Sequence, residues 1–256
     1  MLFRSALGGF HSQAGWAAFL AVAIGFCVLS RKAAAFAVAP AEEVRSAPRS
    51  GDETPAYVMP FMAILAATMV SKMFSGGFEW LYPLRPAAAL AAIWIFRHHY
   101  KRIQWTPGPF ALILGAVVFV IWLGFDRSPQ AGMSPELAAM PAWLRAVWIG
   151  IRIAGAVVAV PLAEELAFRG FLLRRLAASD FSSVSFRGFS LLPAVISSLA
   201  FGAMHNARWI EGTIAGLLYA WALSRRGSMG DAVLAHAFTN ALLAAWVLAT
   251  GQWQYW

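Results

Sequence analysis

Two glutamates, an arginine, two histidines and an asparagine punctuate otherwise apolar stretches in the second half of this sequence. Glu164 and Glu165 are adjacent, and Arg169 follows Glu165 at a spacing of four. On a helix, Glu165 and Arg169 share a face and can pair. Glu164 points about 100° away and has no partner on its own helix. A carboxylate set beside a histidine in an apolar pocket can act as the base that activates water. The competing reading is a helix end with exposed charges. His236 and Asn240 are also four apart, so both can donate to one oxygen, the requirement of an oxyanion hole. Alternatively, they are two polar residues that stitch helices together. His205 ends an apolar run, where a histidine is commonly structural or caps the helix. Ionisable residues inside membrane spans are costly and usually functional. Their occurrence on three consecutive segments favours one shared site.

The elements that must position these residues are apolar helices. The chain has 256 residues, of which 60% are hydrophobic and only 12% charged, and its mean hydropathy is +0.64. Soluble domains carry about 25% charged residues. Eight apolar runs approach the roughly 20 residues that cross a bilayer: 13–30, 57–74, 78–96, 109–125, 143–162, 191–205, 209–224 and 232–250. The expected fold is therefore all-α, a polytopic transmembrane bundle of about eight spans. The stretch 163–178 continues the fifth run as helix beyond the membrane boundary. The sixth run is only about 22 Å long at 1.5 Å per residue. It is expected to end inside the membrane at a hydrated cavity, lined by the turn Asn206–Arg208, with His205 facing Glu164.

The net charge of +8 comes from Lys and Arg clustered between apolar runs, a membrane-orientation signal and not a nucleic-acid surface. Basic residues follow the first, third, fifth and seventh runs, among them Arg31, Lys32, Arg97, Lys101, Arg174, Arg175, Arg225 and Arg226. The opposite connections carry only Arg127 and Arg208. Both termini are thus expected outside, with the basic loops cytoplasmic. Arg31 and Lys32 directly after the first run read as a stop-transfer flank, so that run is expected to remain as a span and not be cleaved as a signal peptide. Cys27, the single cysteine, cannot form an internal disulfide. There is no Cys-His metal spacing, and neither a metal nor another cofactor is expected.

Glu164-Glu165-Leu166-Ala167-Phe168-Arg169 fits the pattern EExxxR, Phe201–His205 fits FxxxH, and His236–Asn240 fits HxxxN. In order and spacing these resemble the three motifs of the CPBP intramembrane peptidases. That family includes the type II CAAX prenyl endopeptidases and relatives linked to bacteriocin immunity. The resemblance implies a metal-free glutamate mechanism. Glu164 would activate water with help from His205, His236 and Asn240 would stabilise the oxyanion, and Glu165 and Arg169 would hold the site. Around His11, Gly8–Trp16 resembles the histidine motif near the end of exosortases. The chain therefore looks like the peptidase half of an exosortase E/protease fusion. No upstream cysteine accompanies His11, so no transpeptidase activity is expected.

The expected organisation is an exosortase-like tail with the first span (1–39), a cytoplasmic linker (40–56), helices 2–4 (57–142) and a CPBP-like core (143–250). The expected function is a metal-independent glutamic endopeptidase of the bacterial inner membrane, possessing lipid neighbours and a membrane-associated protein or peptide substrate, with a role in protein sorting. The alternative is a non-catalytic membrane scaffold or immunity-like peptide-binding protein. A proton-coupled transporter ranks lower, because no inverted repeat is visible.

Overall fold

The computed structural model describes residues 53–75, 78–126, 128–187 and 190–256. The exosortase-like start, the first apolar run and nearly all of the linker lie outside these residues. Among the described residues there are eight helices and no strand. They are α1 (Thr54–Phe74), α2 (Leu84–Ile95), α3 (Phe110–Gly124), α4 (Pro135–Ala139), α5 (Ala142–Ala177), α6 (Leu191–Ala203), α7 (Trp209–Arg226) and α8 (Met229–Thr250).

Prolines mark the starts of the first five helices: Pro55, Pro83, Pro109, Pro135 and Pro141. A proline lacks an N–H that the first turn could not have paired, and its φ is already helical. Ser134 adds a cap to α4, its hydroxyl accepting from the Leu137 N–H at 3.2 Å. Each of the seven apolar runs within the described residues is helical. By length and composition three helices can cross a membrane: α1, α5 and α8. The helices α2, α3 and α6 are apolar but shorter. The third run is helical only from Leu84, because Phe78 and Tyr82 instead pack with Leu137, Met140 and Trp148 in a small satellite core. The bundle is all-helical and apolar as expected, whereas of the expected spans, about eight, three among the described residues have the length and composition to cross a membrane.

Helix α5 is the organising element and contacts α1, α2, α6 and α8. Its 36 residues extend about 54 Å, well beyond a hydrocarbon core of about 30 Å. Two π-helical segments interrupt it, Gly155–Ala159 and Leu166–Leu172, and they flank the glutamate pair at the end of Val160–Glu165. A π turn shifts the backbone ladder by one residue, and neighbouring side chains bond to carbonyls there. Ala156 O accepts from Asn240 Nδ2 at 2.7 Å, and Phe168 O accepts from Ser197 Oγ at 2.9 Å.

The helices α6 and α7 form a tight hairpin. A Cβ on Gly216 would lie 2.8 Å from Ser198 Cβ and 2.9 Å from its Cα, so glycine is what permits this approach. Gly227 ends α7 in the left-handed region at φ +71°, its N–H bonded to Leu223 O at 2.8 Å. Around the bundle, Trp94, Ile95, Val120, Leu191, Leu192 and Leu248 are exposed. An apolar perimeter of this extent suits lipid better than water.

Arg174 does not behave as a loop charge. It is 5% exposed, and its guanidinium donates to the carbonyls of Gly170, Ser182 and Val184. It clips the end of α5 to the following turn.

Candidate active site

The glutamates leave α5 in different directions, as their positions on a helix demand. Glu165 is fully buried, and its Oε1 accepts from Arg169 Nη1 at 3.2 Å and from His236 Nδ1 at 2.9 Å. Arg169, 1% exposed, lies over the Phe201 ring at 4.2 Å, a cation–π contact that offsets part of its desolvation. Glu164 faces a cavity of about 230 Å3, where His205, Tyr219, His236, Thr239 and Asn240 also form the wall. Its Oε2 is buried without a hydrogen-bond partner and lies 3.8 Å from His236 Nε2. Leaving such an oxygen unpaired costs about 1–3 kcal/mol or more; Glu165 Oε2 and Arg169 Nη2 are unpaired as well, so it is the cavity beside it that sets Glu164 apart.

The histidines are oriented by their inner nitrogens. A carboxylate can only accept from His236 Nδ1, so this nitrogen donates to Glu165 and Nε2 is left to face Glu164. Tyr219 stacks on the His236 ring at 4.9 Å and 15°. The Tyr219 hydroxyl donates to Thr239 Oγ1 at 3.0 Å. His205 Nδ1 lies 2.9 Å from Phe201 O. A carbonyl also only accepts, so Nδ1 carries the proton and Nε2 of the neutral ring is an acceptor. Gly212 makes room for this imidazole, since a Cβ there would sit 3.0 Å from His205 Nδ1. Asn240 spends one amide hydrogen on Ala156 O and keeps a second N–H.

Glu164, His205, His236 and Asn240 thus share one cavity, and Glu165 with Arg169 forms the packed layer behind it. The turn Asn206–Arg208, expected to line the cavity, does not. Asn206 and Ala207 are exposed, and Arg208 turns away to bond Asp126 at 2.6 Å and Ser128 at 3.3 Å. At this rim the Arg208 guanidinium also lies 5.6 Å from the Trp122 ring and 4.8 Å from that of Tyr255. Partial burial works to raise the Asp126 carboxyl. Hydrogen bonds from Tyr255 and Ser128 and the Arg208 charge outweigh it and hold the group below its ordinary range. Burial and the bond to Asp126 push the Tyr255 phenol up to about 12.

Sequence reasoning missed Tyr219 and Arg152, both of which line the cavity. Arg152 carried a signal, being an ionisable side chain inside an apolar run. Tyr219 carried none beyond its polar tip. Among the described residues no three His, Cys, Asp or Glu side chains are grouped to hold a metal ion.

The family model described as Type II CAAX prenyl endopeptidase Rce1-like matches residues 146–242. No curated protein matches the chain, and no solved structure matches it. The matched segment contains Glu164, Glu165, Arg169, His205, His236 and Asn240. Over residues 146–242 the chain is thus similar to the Type II CAAX prenyl endopeptidase Rce1-like family.

Proposed function

We propose that the chain is a metal-independent glutamic endopeptidase, with Glu164 as the base that activates water. The observation that carries this reading is the division of labour between the adjacent glutamates. Oε2 of both glutamates is buried without a hydrogen-bond partner, but Glu165 is tied through Oε1 to Arg169 and His236 in the layer behind the cavity, whereas Glu164 borders the cavity. A water held between Glu164 and His205 Nε2 would lose a proton to the carboxylate as its oxygen attacks a peptide carbonyl. The resulting oxyanion would be stabilised by His236 Nε2–H when that ring is protonated and by the second N–H of Asn240. Glu165 stabilises positive charge on His236 through Nδ1, as a carboxylate behind an imidazole does. The proton taken by Glu164 then passes to the leaving amine, so the step balances as hydrolysis of one peptide bond by one water.

The site is placed within a bilayer, with the basic connections on the cytoplasmic side of a bacterial inner membrane. The substrate is a membrane-associated protein or peptide, and a role in protein sorting follows if the substrate carries a sorting signal. Purified protein in lipid, supplied with membrane-tethered peptides and a chelator, is expected to release peptide products. Glu164→Ala and His205→Ala are expected to abolish release while the protein remains folded. Wild-type rates in either variant would reject the assignment.

A further inference from the structure

Arg152 lies on α5, twelve residues before Glu164, and borders the same cavity. It also borders a second cavity of about 250 Å3 next to Phe78, Trp148 and Trp253. Its guanidinium carbon sits 4.8 Å from the centre of the Tyr82 ring, 5.5 Å from that of Trp148 and 5.4 Å from that of Trp256. Its nearest charged neighbours are already committed to each other: Glu79 pairs with Arg85 at 2.7 Å. Among the described residues no carboxylate oxygen lies within ion-pair distance of Arg152. A cation in an apolar helix without a counter-charge is costly and marks function. Aromatic faces hold the flat side of a guanidinium but do not satisfy its five in-plane N–H groups. That edge matches a carboxylate, which it can bind through two parallel hydrogen bonds.

We infer that Arg152 binds a carboxylate of the substrate and sets how far from that group the chain is cut. This rests on the peptidase reading above, since it takes Glu164 as the cutting end of the cavity. Twelve residues of helix span about 18 Å, somewhat less through π turns. An extended peptide covers about 3.3–3.6 Å per residue, so the carboxylate lies within about five residues of the scissile bond. It can be the substrate's terminal carboxylate or an Asp or Glu side chain.

The test uses the full chain carrying Glu164→Gln in phosphatidylcholine nanodiscs, so that binding is read without turnover. The probes are three matched pools of myristoylated, dansyl-labelled peptides of about ten residues, long enough to cover the span estimated above. One pool has a free terminal carboxylate and no Asp or Glu. A second has a terminal carboxamide and one Asp. The third has a carboxamide and no acid. Fluorescence anisotropy is expected to show one acidic pool binding at least about tenfold tighter than the neutral pool, and which one it is identifies the source of the carboxylate. Adding Arg152→Gln is expected to bring the pools within about twofold, and Arg152→Lys to keep part of the preference. Equal binding of all three pools by the chain with Arg152 intact overturns the inference, as does a preference that survives Arg152→Gln. Carboxylate-dependent binding without cleavage by the wild-type chain would count against the peptidase reading alone. Cleavage without that dependence would count against Arg152 alone.

Discussion

Two carboxylate–guanidinium pairs bracket the cavity, and the longer of the two is the more consequential. Glu165 and Arg169 are 3.2 Å apart with side chains 0% and 1% exposed. Asp126 and Arg208 are 2.6 Å apart with side chains 7% and 15% exposed. Each carboxylate has a third partner, His236 behind the first and Tyr255 beside the second. Setting, more than distance, separates them. If one member of the inner pair is lost, the other is left as a charge that water cannot reach, a penalty of several kcal/mol. At the rim both side chains keep some exposure, so a charge left alone there reaches water more easily and the penalty is smaller. The inner pair also orients the imidazole that faces Glu164, whereas the rim pair ties the loop after α3 to the start of α7 and the chain end.

Substitutions in the two regions should separate them. Arg169→Ala is expected to have the largest effect, about 3–5 kcal/mol of destabilisation read by thermal unfolding in lipid. Retention of wild-type stability would mean that the inner pair is not what holds the layer behind the cavity. Gly212→Ala acts between the two regions, because its Cβ would meet Gly202 Cα at 2.9 Å and His205 Nδ1 at 3.0 Å. About 1–3 kcal/mol is expected, together with a fall in kcat as His205 shifts. Tyr219→Phe keeps the ring on His236 and removes only the bond to Thr239, so about 0.5–1.5 kcal/mol is expected with activity largely retained. Asp126→Asn is expected to cost under about 1 kcal/mol, less at high salt.

The rim also has a pH signature. The Asp126 carboxyl is held below its ordinary value in the folded chain. Its contribution is therefore complete above the unfolded carboxylate pKa of about 3.9 and is lost as pH falls through the lower folded value. Unfolding curves of wild type and Asp126→Asn should differ near neutral pH and converge at strongly acid pH. Curves that diverge on acidification would contradict the ion-pair assignment.

Much of the bundle was legible because lipid as solvent leaves a blunt record. Each of the seven apolar runs within the described residues corresponds to a helix, and the continuation of the fifth beyond Leu162 is present as far as Ala177. The pairing of Glu165 with Arg169 followed from helical spacing alone. The π segments did not show in the sequence, since hydrophobic periodicity cannot tell a bond to i−5 from one to i−4. Without them the tie from Asn240 to Ala156 could not be foreseen. Phe78 and Tyr82 read as helix by hydropathy, but partners more than fifty residues away, such as Leu137 and Trp148, claim them. Arg174 read as a cytoplasmic loop charge, and its burial against three carbonyls depends on a turn that forms only in the folded chain. Arg152 is visible in the sequence as an ionisable residue in an apolar run, but spacing alone does not show that it borders the cavity.

On the proposed reading the adjacent glutamates do different work, Glu164 in chemistry and Glu165 in structure. Peptide cleavage and thermal unfolding, measured together for Glu164→Gln and Glu165→Gln in lipid, separate the two roles. Glu164→Gln is expected to lose about 10²–10⁴-fold in kcat with unfolding unchanged, and Glu165→Gln to unfold at clearly lower temperature. Full cleavage by folded Glu164→Gln, or unfolding of Glu165→Gln at the wild-type temperature, would contradict that reading.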